Sequence, residues 1–70
     1  MSALHQLLVL LLEGNRRVAD HLRIVGFTED EIMEAWDQAR AAGFTESTGL
    51  GQDRLTEAGR VRASESSNVT

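Results

Sequence analysis

The chain has 70 residues, 41% of them hydrophobic, with 11 acidic against 7 basic residues and a formal net charge of -4. That length holds one domain and not two. With no cysteine there is no disulfide or thiolate metal site, and the acidic balance supplies no positive field for a generic nucleic-acid coat.

Ser2 is placed to cap a first helix over residues 3–13. Leu4, Leu7, Leu8 and Leu11 fall at the i, i+3, i+4, i+7 spacing of one buried face. Val9, Leu10 and Leu12 lie outside that stripe, so the helix is apolar over a wider arc than a surface helix needs. Two explanations fit: a central core helix, or a face for a second copy of the chain made by Val9, Leu10 and Leu12. Small domains often need outside help with burial, which keeps the homodimer in play. The longest apolar run, Leu7 to Leu12, is far short of the ~20 residues of a membrane span. Residues 1–6 carry no Lys or Arg and do not read as a secretory leader, so no membrane and a cytoplasmic location are expected.

Gly14 is expected to end the first helix and Asn15 to cap a second over residues 16–25, with Val18, Leu22 and Val25 as its buried face. Gly26 closes it. Thr28 and Glu31 then form the pattern of a capping box, with Phe27 and Ile32 at staple spacing around it. Glu29, Asp30 and Glu31 crowd the first turn, where the helix dipole favours negative charge. The third helix spans residues 28–42, buries Ile32, Ala35, Trp36 and Ala39, and stops at Gly43. From Phe44 the pattern changes to a hairpin over residues 44–56, with its turn at Thr48-Gly49-Leu50-Gly51-Gln52. A helical turn over residues 57–63 follows. The serine-rich segment 64–70 has no apolar period and is expected to be a disordered tail, leaving residues 1–63 as the domain.

Three helices and a hairpin give a mainly α fold with a small β-hairpin, in the order of a winged helix-turn-helix. Thr28, Ile32, Ala35, Trp36, Ala39, Gly43 and Phe44 resemble the third helix and wing entry of MarR-type and PadR-type regulators. Leu55-Thr56-Glu57-Ala58-Gly59-Arg60 resembles the segment that ends their wing. The resemblance covers residues 4–62 and departs from the family in a longer second helix and a short wing. It implies a three-helix core with a two-stranded wing, DNA binding through the third helix, and a dimer.

The residues of the third helix oppose that implication. At 3.6 residues per turn the face opposite Ile32, Trp36 and Ala39 carries Asp30, Glu34, Asp37 and Ala41, flanked by Met33 and Gln38. Reading bases and phosphates requires donors, and like charges pressed together at an interface cost several kcal/mol. Specific sites gain only about 4–10 kcal/mol over non-specific ones. Two readings therefore follow. In the first, a small transcription regulator touches double-stranded DNA with Arg16 and Arg17 at the start of the second helix and with Gln52 and Arg54 on the wing. In the second, Asp30, Glu34 and Asp37 dock on a basic protein partner and DNA is not bound.

No constellation suggests an enzyme, a cofactor or a metal. His5 and His21 stand alone on different helices, and the carboxylates of residues 29–31 are explained by capping. Gly49 and Gly51 lack the Lys-Ser/Thr of a phosphate loop.

Overall fold

A computed structural model describes residues 2–67. Four helices, α1 (Ala3–Leu12), α2 (Val18–Val25), α3 (Glu29–Ala41) and α4 (Glu57–Ser67), enclose a hairpin of β1 (Thr45–Glu46) and β2 (Arg54–Leu55), which sits between α3 and α4. The two strands are antiparallel, with Thr45 opposite Leu55 and Glu46 opposite Arg54. This is the winged helix-turn-helix order, mainly α with a two-stranded wing.

Helix α1 is the central element, packing against α2, α3, α4 and β2. Its breadth of apolar surface follows from that position. Leu7, Leu8 and Leu10 are all buried, and they meet Val18 and Leu22 of α2, Ile32, Ala35 and Ala39 of α3, and Ala63 of α4 in one core. Leu10 thus belongs to the chain's own interior, at 6% exposure, and is unavailable to a second copy. Val9 is half-buried, and Leu12 alone of the three is exposed. Of the possible dimer face Val9, Leu10 and Leu12, Leu10 is corrected to a core position, and the central-helix alternative accounts for the wide apolar arc.

The caps read from the sequence organise two helix starts. Ser2 accepts the His5 N–H at the start of α1. At α3 the Thr28 hydroxyl accepts the Glu31 N–H while the Glu31 carboxylate accepts the Thr28 N–H at 2.8 Å, so both halves of the capping box are present. Helices α2 and α3 close alike. Gly26 and Gly43 take positive φ, 119° and 78°, and the next N–H reaches back five residues, from Phe27 to Leu22 and from Phe44 to Ala39. That bond satisfies a carbonyl the helix end would otherwise leave open.

Three expectations need correction. Helix α2 begins at Val18, not residue 16, because the Asn15 side chain accepts the Arg17 N–H two residues on and forms a turn instead of a helix cap. Val25, on the last residue of α2, is 53% exposed instead of buried. Helix α4 does not stop at Ala63 but continues to Ser67. Burial of Ala63 against the core and an ion pair of Arg62 with Glu65, three residues on, accompany the extension. The part of the expected tail at residues 68–70 lies outside the described residues.

Candidate interaction surface

The wing is anchored at its base by a set of hydrogen bonds centred on Thr56. Phe44 O accepts the Thr56 N–H at 2.9 Å. The Thr56 hydroxyl donates to Gly43 O and accepts the Gly59 N–H, so it ties the end of α3 to the first turn of α4. Gly59 packs so tightly that a Cβ there would lie 1.9 Å from Phe44 O. The segment from Leu55 to Arg60 therefore has a direct structural explanation. Its threonine caps and its glycine lets the helix touch the wing's backbone.

Gln52 occupies the other end of the wing loop. Its Oε1 accepts the Val18 N–H at 3.1 Å and its Nε2 donates to Asn15 O at 2.9 Å. Arg17, the residue at the cap position of α2, makes no side-chain cap bond, so Gln52 caps that helix from the wing. Both ends of the amide are committed inside the fold. Gln52, expected on the wing as a DNA contact, thus spends one N–H and one carbonyl lone pair on the start of α2, which fixes its amide against that helix.

The remaining arginines divide into two groups. Arg54 pairs with Glu46 across the hairpin at 2.7 Å, which lowers its value as a wing contact to phosphate. Arg23 joins Asp20 and Glu29, bridging α2 to the first turn of α3. The Arg23 hydrogen bond holds the Glu29 carboxyl below its ordinary pKa, and Glu29 in turn raises that of Arg23. The backbone N–H and hydroxyl of Thr28 likewise lower Glu31. Arg16, Arg17 and Arg60 are exposed and form no ion pair among the described residues.

Helix α3 presents Asp30, Glu34 and Asp37 exposed, as the helical period requires, with Met33 beside them at 62% exposure. None of the three carboxylates forms an ion pair among the described residues; Glu34 accepts one bond, from Gln38 at 3.3 Å. One arrangement escaped the sequence reading. Asp53, 6% exposed at its side chain, is held by Arg40, whose Nε and Nη2 both reach its Oδ2, at 3.2 and 2.8 Å. Asp53 raises the Arg40 pKa, with a smaller push from Asp37. The two partners stand 13 residues apart, Arg40 on α3 and Asp53 in the wing just before β2, and no local pattern links them.

His5 is half-buried and His21 exposed. Among the described residues no group of three or more His, Cys, Asp or Glu converges to hold a metal, and no helix is long and apolar enough to cross a membrane. No protein family, no curated protein and no solved structure matches the chain. The fold and the charges of its faces therefore carry the functional argument.

Proposed function

We propose that this chain is a protein-interaction winged helix whose acidic α3 docks on a basic partner. One observation carries the reading: Asp30, Glu34 and Asp37 line the exposed face of α3 without ion pairs among the described residues. That face is where a winged helix would meet a groove. Carboxylates there repel phosphates and attract cations, and complementary charge speeds encounter as well as holding the complex. The exposed Met33 beside them adds a deformable apolar contact of the kind partner surfaces use.

The order of elements and the two matching segments also resemble the MarR-type and PadR-type regulators, and the unpaired Arg16 and Arg17 favour a second reading as a DNA-binding regulator. That reading is fold analogy, and it shares Gln52 with the α2 cap and Arg54 with Glu46. Three unpaired arginines, Arg16, Arg17 and Arg60, neutralise too few phosphates for tight binding at ordinary salt.

One titration separates them. The chain is mixed with a mixed-sequence DNA duplex and, separately, with a lysine-rich polypeptide, both at low ionic strength. Capture of the polypeptide, abolished by combining Glu34→Lys with Asp37→Lys, is the expected result. Duplex binding that Arg16→Ala and Arg17→Ala remove, with no capture of the polypeptide, would reverse the choice.

A further inference from the structure

We infer that the hollow between α2, α3 and the wing is an anchor pocket for one arginine side chain of the basic partner, a step that rests on the docking reading above. The hollow measures about 300 Å³ and is lined by Ala19, Trp36, Arg40, Gly51, Gln52 and Asp53. That volume stands at the bottom of the ~300–1,000 Å³ range of small-molecule sites. It suits a single side chain better than a cofactor.

Three features select a guanidinium. The first is the half-buried Trp36 on the wall, whose indole is the best of the aromatic faces for a cation. The second is Asp53. Arg40 engages only its Oδ2, and Oδ1 accepts no hydrogen bond among the described residues. Oδ1 is not among the buried atoms left without a partner, so it opens to the hollow and has the lone pairs to take a second donor. The third is the balance of charge. Arg40 is the pocket's own cation, and it lies under the influence of two carboxylates, Asp53 and Asp37. On the helical period Trp36 and Arg40 adjoin Met33 and Asp37, so the pocket opens beside the acidic face and an incoming cation crosses that face to reach it. An anion meets the same carboxylates as a repulsion. Arginine is favoured over lysine because its planar head can lie against the indole and still present an N–H to Oδ1.

Trp36 is the one tryptophan of the chain, so all indole emission comes from a residue on the pocket wall. The intact chain is titrated with a capped penta-arginine peptide, with penta-citrulline as the uncharged isostere and penta-lysine as the other cation. Fluorescence and calorimetry are read together. Penta-arginine should give a saturable change in emission, penta-citrulline none, and penta-lysine weaker binding. Ala19→Leu fills the pocket and leaves the acidic face intact; it should weaken penta-arginine by about tenfold, the loss of one cation–π contact of about 1.4 kcal/mol. Should Ala19→Leu fail to fold by circular dichroism, Trp36→Leu and Trp36→Phe take its place in calorimetry, with the phenylalanine retaining more affinity than the leucine.

Binding of penta-arginine without an emission change, or with equal affinity in the folded pocket variants, overturns the pocket and leaves the acidic docking face standing. Penta-lysine binding as tightly as penta-arginine overturns the choice of guanidinium. Absence of binding by any cationic peptide overturns the pocket and the docking reading together.

Discussion

The base of the wing and the outer face of α3 treat their polar groups in opposite ways. At the base, the Thr56 hydroxyl joins Gly43 to Gly59, Gln52 is bonded twice to groups 34 and 37 residues away, and Gly59 leaves no room even for a methyl group. On α3, three carboxylates stand exposed with no counter-charge within ion-pair distance among the described residues. The first region carries the segment from Leu55 to Arg60, whose Thr56 and Gly59 serve the fold. The second departs most from what a DNA reader needs, and its side chains are free to meet something else. Bonds within the fold mark the scaffold here, and uncommitted charge marks the surface proposed for docking.

The largest test of that contrast is Gly59→Ala. A Cβ 1.9 Å from a backbone oxygen forces α4 and the wing apart, and overpacking of this severity should cost about 3 kcal/mol. A urea midpoint unchanged from the parent would show that the junction is loose, which would weaken the assignment of the segment to the scaffold. Gln52→Ala comes next. It strands the Val18 N–H and the Asn15 carbonyl together, an expected loss of about 1–2 kcal/mol, with faster hydrogen exchange at Val18. A stable variant with normal exchange there would return Gln52 to the pool of surface contacts. Thr28→Ala removes half of the capping box and should cost about 1 kcal/mol in the same denaturation experiment. By contrast Glu34→Ala, on the free face, should leave the midpoint within about 0.5 kcal/mol of the parent.

The smallest effect is ionic. Glu29 and Glu31 titrate below the ordinary carboxylate value of 4.5, held there by Arg23 and by Thr28 respectively. A carboxyl whose folded pKa is depressed contributes stability above its unfolded pKa and loses it as pH falls through the folded one. Glu31→Gln should therefore be less stable than the parent near neutral pH, with the gap closing below the ordinary carboxylate range. Urea midpoints taken in steps from about pH 7 to about pH 3 measure it. Since both groups are exposed, screening by salt should shrink the gap further. A gap that keeps its size down to the acid end would assign the effect to side-chain shape instead of charge.

Much of the architecture was legible because it is encoded locally. The capping pair Thr28 and Glu31 lies three residues apart, the stops at Gly26 and Gly43 act on their own helices, and the core positions of α3 follow its period. The hairpin was placed correctly but drawn too long. Only two residues in each strand pair, since Ser47 and Thr48 bond within the turn, to the N–H groups of Gly49 and Leu50, and Gln52 turns toward the helices. The start of α2 was misplaced because its cap comes from the wing. A polar tail was expected where α4 continues, since composition alone does not register the burial of a single alanine, Ala63. Of the surface proposed for docking, the exposure of the acidic stripe of α3 was visible in the spacing of Asp30, Glu34 and Asp37. The Arg40–Asp53 pair and the pocket beside it were not, because they exist only once the wing folds back over α3.

The bond from Gln52 to α2 has a consequence for the order in which the chain takes shape. Val18 and its capping partner are separated by 34 residues, and Asn15 and Gln52 by 37. During synthesis α1 and α2 leave the ribosome well before the residue that completes the first turn of α2. Until the wing arrives that turn is frayed, and short helices are marginal in water without tertiary support. The first half of the chain is thus not an independent folding unit, and an opening of the wing in the finished protein loosens α2 with it. A truncation just after α3 removes more than the hairpin: it also removes the group that holds the second helix shut.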